Sequence, residues 1–476
     1  MKPKKFKHID KPTIQARPVK SFFVTMITRD ISLEDAILDL LDNCIDGIRR
    51  SKHRRNMKSP EKPYQGFWAK IKFNKNSFSI SDNCGGIPWD LIPYAIRLGR
   101  DPTRPPDKNA LGSYGIGMKR AIFKMGKQCY ITTQNKLFRY KITISEEWLD
   151  KDDVWDLQVE DDIWRTEEDG TTIEIQKLYP GIQREFDENA KTFEKDLKET
   201  IETHYAYIIE KGFKIEINDK IAESQAATLI FNVQNLQGEK PALRPYIYKT
   251  ITDDGVEVFL TVGYWRPPPD QEELDNEKEI SGYTAEKAGW TILCNERAVV
   301  YCDRDILTGW GDSGVPKYHN QFIAITGVVE FKSANPRLLP TTTTKRGLDA
   351  SNPLYAKIKN KMREGMKIFT KNTNAWKTRE SDLKMKFRET PFLSLTEIKK
   401  ASEGLHFSKS RKFGGEYYAP TLPVPPDLGP KSRRISFVRE LSQIEEVARY
   451  FGEPDLKPNE VCERCFDIIY EEAKKQ

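Results

Sequence analysis

A predicted helix over residues 32–50 carries the first side chains that could do chemistry. Asp39, Asn43 and Asp46 are spaced i, i+4 and i+7, so three oxygen-bearing side chains share one face. Ser32 begins a pattern typical of a capped first turn. Such a polar face is unusual for a helix that packs on a core, and it marks a candidate site. The apolar stripe of the same helix is Leu33, Ile37, Leu40, Leu41, Cys44 and Ile48.

A second candidate is a glycine-rich segment. Gly112, Gly115 and Gly117 are spaced G-x-x-G-x-G, and a predicted helix follows as far as Met125. Backbone N–H groups that no side chain covers can approach an anion closely, so the segment is typical of phosphate binding. A tight turn for helix packing explains the glycines equally well. The spacing fits neither a P-loop nor a dinucleotide-binding fingerprint.

A third candidate ends a predicted β-hairpin. Residues 67–73 and 77–81 alternate apolar and polar side chains, and the second strand leads directly into Asp82. Residues 100–109 contain prolines and charges of both signs, which predicts a mobile loop. The pair Gly170-Thr171 opens a later predicted strand. Helices and strands therefore alternate, and they predict an α/β domain with an antiparallel or mixed sheet.

Four motifs in this order resemble the GHKL ATPase superfamily, whose members include Hsp90, MutL, type II topoisomerases, sensor histidine kinases and the MORC proteins. The resemblance implies a Bergerat-type two-layer α/β sandwich that binds ATP and Mg²⁺. It covers roughly residues 30–370. The motifs are DLLDNCID at 39–46, DNCGGI at 82–87, GSYGIG at 112–117 and GTTI at 170–173.

The resemblance also implies roles for individual residues. Asn43 would place its amide oxygen on a Mg²⁺ ion that bridges phosphate oxygens. Asp82 would accept a hydrogen bond from the adenine amino group, and Thr171 would support the adenine edge. Gly115 and Gly117 would let the backbone close over the phosphates. The other expected nucleotide contacts are Asp46, Gly86, Ile87, Gly112, Tyr114, Ile116, Met118 and Lys119, the lysine as a charge partner.

Two positions depart from the family pattern. Asp39 stands where the family commonly has the glutamate that polarises the attacking water, and aspartate is one methylene shorter. Asp39 is therefore a candidate general base for slow hydrolysis. Cys84 stands where glycine is frequent, but Gly85 and Gly86 leave the backbone unobstructed. ATP binding is accordingly a firmer expectation than turnover.

A second alternating pattern covers residues 246–264, 289–302 and 322–331. It predicts another α/β domain, which resembles the ribosomal-protein-S5-like transducer of dimeric GHKL ATPases. Lys345, in the segment LLPTTTTKRG, resembles the transducer lysine that reaches the γ-phosphate. Lys345 joins Asp39 as a candidate catalytic residue. The nearest overall pattern is the MORC-like group, whose prokaryotic members are associated with restriction and phage-defence systems.

Composition limits the remaining possibilities. Three regions are expected: residues 1–220, residues 221–375, and a basic region over 376–476 with a proline-rich linker and a terminal helix. The net charge is +6, but residues 371–434 hold 14 Lys+Arg against 7 Asp+Glu. The seven scattered cysteines and the lack of a long apolar run predict a cytoplasmic protein without a membrane span. A lone C-x-x-C pair at Cys462 and Cys465 lacks further ligands for a zinc site.

The resulting hypothesis is a homodimeric clamp that ATP and Mg²⁺ close, acting on DNA or with a DNA-processing or phage-defence partner. The basic region motivates the DNA client. A chaperone-like or partner-regulating ATPase that acts on protein is the first alternative. The second is a nucleotide-binding switch with negligible turnover, which the aspartate at position 39 suggests.

Overall fold

The structure is a computed structural model, and its described residues fall into two compact units that meet in sequence between Pro425 and Pro426. Within the described ranges, no helix is both long and apolar enough to cross a bilayer. The predicted loop at 100–109 and Tyr114 lie outside these ranges. The described residues are 19–50, 59–97, 99, 110–112, 115–161, 167–234, 236, 240–270, 273–274, 287–342, 345–377, 379–410, 414–425 and 438–475.

The first α/β region contains a mixed sheet with strand order β5-β4-β3-β6-β2-β1-β7-β8. All neighbouring strands are antiparallel except β1 and β7, which are parallel. Its elements are α1 Lys20–Arg29, α2 Leu33–Arg50, β1 Trp68–Asn74, β2 Ser77–Asp82, α3 Ile92–Ile96, α4 Gly117–Met125, β3 Gly126–Gln134, β4 Arg139–Ile144, α5 Glu146–Asp150, β5 Val159–Asp161, β6 Gly170–Leu178, α6 Pro180–Asp187, α7 Ala190–His204, α8 Ala206–Glu210, β7 Lys214–Ile217 and β8 Lys220–Ile221.

Helix α2 forms where the sequence predicts it. The Asp35 N–H donates to Ser32 Oγ at 3.0 Å, which caps the first turn. The whole predicted apolar stripe is buried, and α2 packs against α4, α7 and the alternately buried strands. The fold is therefore the expected two-layer α/β arrangement, in which one face of the sheet is covered by helices.

Two local predictions are wrong. The sequence of residues 155–159 predicts a strand, but only the short strand β5 forms, because Trp155 packs edge-on against Trp148 instead of joining the sheet. The sequence of residues 194–211 predicts a single helix, which is broken at Tyr205 into α7 and α8. The buried Tyr205 hydroxyl oxygen lies 2.8 Å from both Leu38 O and Asp42 Oδ1, and these two acceptors share its single hydrogen. Such long-range contacts decide chain direction, and helical periodicity does not reveal them.

The second α/β region contains a sheet with strand order β13-β12-β14-β11-β10-β17-β16, and a long helix, α9, packs on β11 and β14. Strand β12 is buried along its whole length. Its elements are β9 Leu229–Ile230, β10 Tyr246–Ile251, β11 Glu257–Tyr264, β12 Gly289–Cys294, β13 Arg297–Asp303, β14 Ile325–Lys332, α9 Pro353–Ala375, α10 Glu380–Arg388, β15 Phe392–Leu393, α11 Leu395–Ser402, β16 Ser408–Lys409 and β17 Glu416–Tyr418.

Part of the predicted basic region joins this second sheet. Strand β17 pairs with β10 in this sheet, and β15 pairs with β9 in a separate two-stranded sheet, so the chain beyond residue 376 contributes to the first compact unit. The three domain boundaries given above stay predictions. The other unit contains helices α12 Leu441–Tyr450 and α13 Pro458–Lys474, the second of which is the predicted terminal helix.

A glycine substitution tests how tightly the first sheet is built. A Cβ added to Gly170 would lie 1.8 Å from the Asp82 carbonyl oxygen. We expect Gly170→Ala to lower the free energy of unfolding by about 1–3 kcal/mol or more, because backbone must move. Gly181 lies in α6 with no atom within 4 Å of such a Cβ. Gly181→Ala is the matched control and should stabilise by about 0.5–1 kcal/mol. Thermal unfolding checks both, and equal midpoints would contradict the packing.

Candidate functional site

One cavity in the first compact unit, of about 230 Å³, gathers the predicted site residues. Every expected nucleotide contact within the described ranges lines this cavity. Lys345, which follows β14 in the chain, lines it as well. Tyr114 is the one predicted contact that the structure does not describe. The predicted residues that line the cavity are Asp39, Asn43, Asp46, Asp82, Gly86, Ile87, Gly112, Gly115, Ile116, Gly117, Met118, Lys119, Thr171 and Lys345.

Helix α2 provides one wall of the cavity. Asn43 is exposed although Asp42 and Cys44 beside it are buried, so its amide is the open polar group on this helix. The described part of the chain holds no group of three or more His, Cys, Asp or Glu that could bind a metal ion. A Mg²⁺ ion at Asn43 would therefore take its other oxygen ligands from phosphates and water, which suits this cation.

Asp46 fixes the start of the glycine-rich segment. Its carboxylate accepts the Leu111 N–H at 2.7 Å and the Gly112 N–H at 2.9 Å. Burial raises the pKa of Asp46, although Arg49 and these two N–H donors oppose the increase. The structure thus gives Asp46 a direct contact with the backbone that borders the cavity.

The glycines of the segment have different geometric tasks. Gly115 has a φ of 70°, in the left-handed region that favours glycine. Gly117 begins α4, and a Cβ there would lie 3.1–3.2 Å from the side-chain atoms of Asp39. Close helix packing therefore explains Gly117, and the cavity beside it leaves room for the phosphate-binding interpretation as well.

A cluster of polar groups surrounds Asp82, another residue that lines the cavity. Asp82 Oδ1 accepts the Cys84 N–H at 2.7 Å, and burial raises the pKa of the Asp82 carboxyl. The Thr171 and Thr133 hydroxyls lie 3.0 Å apart, and Thr133 Oγ1 accepts the Ile87 N–H at 2.8 Å. Thr133, which lies opposite Thr171 on β3, was not predicted from the sequence.

Lys345 lies in a network of buried charges that includes Asp39 and Asp42. Its Nζ donates to Asp42 Oδ2 at 2.6 Å and to Asp39 Oδ1 at 3.2 Å, and Arg120 pairs with Asp39 Oδ2 at 2.5 Å. Arg297 Nε lies 3.2 Å from Asp42 Oδ1. Burial alone would raise the pKa of Asp42, but Arg297 and Lys345 outweigh burial and hold that pKa below its ordinary value.

Lys119 has a local partner. Its Nζ donates to the Ala95 carbonyl at 2.8 Å, which ties α4 to α3, and burial lowers its pKa to about 8. Contact between Lys119 and a phosphate stays a prediction.

Several residues of the site were not found from the sequence. Asp42 could have been predicted from the sequence, since it lies on α2 three residues after Asp39. Arg120 and Arg297 could not, because their partners are distant in sequence. Residues that line the cavity but were not predicted are Leu40, Cys44, Gly47, Arg50, Ile80, Cys84, Leu91, Tyr94, Ala95, Ala110, Arg120 and Ile173.

Comparison with known families gives one match that covers the cavity. Residues 31–174 match the family described as histidine kinase-, DNA gyrase B-, and HSP90-like ATPase. The matched range contains α2, the Asp82 strand, the glycine-rich segment and Thr171. A comparison with curated proteins gives no match.

The anchoring of the glycine-rich segment can be tested at Asp46. Asp46→Asn leaves one acceptor oxygen for two N–H donors, so the Leu111–Gly112 backbone should loosen. We expect nucleotide affinity to fall about tenfold or more, the size of a lost hydrogen bond to a charged group. Calorimetric titration with Mg·ADP measures this. Asp187→Asn, at an exposed site on α6, is the control. Unchanged affinity in Asp46→Asn would contradict the anchoring role.

Proposed function

We propose, from the premise that residues 31–174 belong to the GHKL ATPase superfamily, that this protein binds ATP with Mg²⁺ and couples the γ-phosphate to its second α/β region. One observation supports the proposal. Lys345 lines the same cavity as residues of the family match, although it lies outside the matched range. A nucleotide in the cavity would therefore contact both α/β regions at once.

In this proposal the two ends of the cavity bind different parts of ATP. Asp82 and Thr171 hold the adenine, because a buried carboxylate acceptor selects a base that carries an amino donor. Asn43 contributes a ligand to Mg²⁺, and the open backbone at Gly115 and Gly117 faces the phosphates. Mg²⁺ would neutralise phosphate charge when bound.

Lys345 is proposed to report whether the γ-phosphate is present. Its ammonium is already within hydrogen-bond distance of Asp39 and Asp42, and a phosphate oxygen would compete with those carboxylates for it. Movement of Lys345 towards a phosphate would free Asp39 Oδ1 to orient a water molecule. Arg120 would keep the rest of that carboxylate in place. Slow hydrolysis with a shorter carboxylate is the expected activity.

Homodimerisation and closure of a clamp on a client molecule are part of the same proposal. Several cations of the basic stretch are paired with carboxylates. Lys384 pairs with Asp270, and Lys399 with Glu330. This pairing favours the partner-regulating alternative, in which the client is a protein. DNA stays the second candidate because Lys371, Lys377, Lys386 and Arg388 are exposed.

Two substitutions should separate binding from turnover. Asn43→Ala should abolish the Mg²⁺-dependent part of ATP affinity, because it removes the amide that faces the cavity. Asp39→Asn should bind ATP but release phosphate at least about 100-fold more slowly, the usual contribution of a general base. Calorimetry and a phosphate-release assay measure the two effects.

The exposed Asn76 in the turn after β1 gives the control variant Asn76→Ala. Unchanged Mg²⁺-dependent affinity in Asn43→Ala would remove this residue from the metal site. Equal phosphate release by wild type and Asp39→Asn would leave a nucleotide-binding switch as the function.

The salt dependence of duplex binding tests whether the client is DNA or a protein. If DNA binds through the basic residues of 371–434, the logarithm of the affinity for a duplex should fall about linearly with the logarithm of the salt concentration. Lys386→Ala with Arg388→Ala should lower that slope by about 2. Lys191→Ala with Lys195→Ala, on the exposed face of α7, is the charge-matched control. Absence of duplex binding at about 50 mM salt with ATP present would exclude the DNA client.

A further inference from the structure

The turn between β12 and β13 links the two α/β regions. Its two residues, Asn295 and Glu296, have φ values of 48° and 74°, a conformation that suits asparagine better than glutamate. Both side chains and that of the next residue, Arg297, are buried. Three consecutive polar side chains are thus buried against the first region, where each finds a different partner.

Glu296 anchors the turn to the end of α2. Its carboxylate accepts hydrogen bonds from Arg49 at 2.8 Å, from Lys211 at 2.7 Å, and from the Tyr64 hydroxyl. Burial alone would raise the pKa of Glu296, but Lys211 and Arg49 hold that pKa well below its ordinary value. These ion pairs offset the cost of placing a glutamate in a left-handed conformation.

Asn295 connects the same turn to the glycine-rich segment. Its side-chain amide donates to Ala110 O at 3.1 Å. The next two residues, Leu111 and Gly112, are those whose N–H groups bind Asp46. The turn therefore contacts the segment at the point where it enters the cavity.

Arg297 holds Lys345 in two ways. Its NH1 group donates to the Lys345 carbonyl oxygen at 3.3 Å, and its Nε pairs with Asp42 Oδ1 at 3.2 Å. Asp42 Oδ2 in turn accepts from Lys345 Nζ at 2.6 Å. Arg297, Asp42 and Lys345 thus form a closed ring. Lys345 itself has a φ of 58°, which is unfavourable for a lysine and needs such support.

We propose that Arg297 is the positioning residue for Lys345, holding its backbone directly and its ammonium through Asp42. The Asn295–Glu296 turn fixes Arg297 against α2 and the glycine-rich segment, so Lys345 and the phosphate end of the cavity keep one geometry. The proposal rests on the proposed function, because it concerns the lysine that would contact the γ-phosphate. Arg297 does not line the cavity, so its proposed action is exerted through Lys345.

The test compares Arg297→Lys with Lys345→Ala, the double variant and wild type. Lysine keeps a positive charge beside Asp42 but lacks the planar fork that reaches two acceptors. We expect Arg297→Lys to bind ADP within about twofold of wild type and a non-hydrolysable ATP analogue about tenfold more weakly, the size of one lost charge-assisted hydrogen bond. The double variant should bind the analogue no more weakly than Lys345→Ala, because residues that act as one unit are not additive.

The kinetic readout separates positioning from general stability. Arg297→Lys should lower kcat with ADP affinity unchanged, whereas a merely structural loss would weaken both nucleotides together. Arg363→Lys is the control, because Arg363 also pairs with a carboxylate, Asp312, at 3.2 Å but lies away from the cavity. Asp42→Asn breaks the same ring from its other side, and it replaces Arg297→Lys if that variant does not fold.

Two outcomes overturn the proposal. The first is wild-type discrimination between the analogue and ADP in Arg297→Lys while Lys345→Ala has lost it. The second is losses that add in the double variant. A different result concerns the proposed function alone: if Lys345→Ala discriminates as wild type does, or if wild type binds neither nucleotide, the γ-phosphate role of Lys345 fails first.

Discussion

Two buried carboxylates on one helix set the requirement that the rest of the structure meets. Asp39 and Asp42 are 3% and 0% exposed, and charges removed from water are strongly unfavourable unless cations accompany them. The cations arrive from three distant segments, as Arg120, Arg297 and Lys345. Asp42 therefore takes both of its cations from the second α/β region, whereas Asp39 takes Arg120 from its own region and Lys345 from the second. This compensation holds the second α/β region to the first in addition to apolar packing.

The sequence was sufficient for the parts of the site that lie close together in the chain. Cap, stripe and spacing gave α2, and alternation gave the β1–β2 hairpin and most of both sheets. The motif residues around Asn43 and Asp82 do line one cavity. The hydrogen-bond and ion-pair partners of individual side chains could not be predicted in the same way. Lys119 had the residue type of a phosphate ligand, yet its ammonium donates to Ala95 O. Asp42 contacts Tyr205, which lies 163 residues away in the chain, and Arg297, which lies farther still, and no local pattern encodes these contacts.

The same limit explains the predictions that were wrong. Helical periodicity continues through Tyr205, but the buried hydrogen bonds of its hydroxyl divide the helix. Trp155 has the residue type of a strand and instead packs on Trp148. In both cases the contacts of one aromatic side chain, with distant partners for Tyr205 and a near one for Trp155, override the local preference of the backbone. The basic stretch shows the limit for charge, since composition counts cations without showing which carboxylates neutralise them.

The hydrogen bonds of the β12–β13 turn depend on the angle at which strand β12 is held. The strand is hydrogen-bonded on both sides, to β13 and β14, so its turn moves with the whole second sheet. Six residues at about 3.3 Å each make a rod of about 20 Å, and a rotation of about 3° at its base displaces the tip by about 1 Å. That displacement exceeds the range of N···O distances over which a hydrogen bond persists. The polar contacts at the tip therefore fix the angle between the two sheets to within a few degrees.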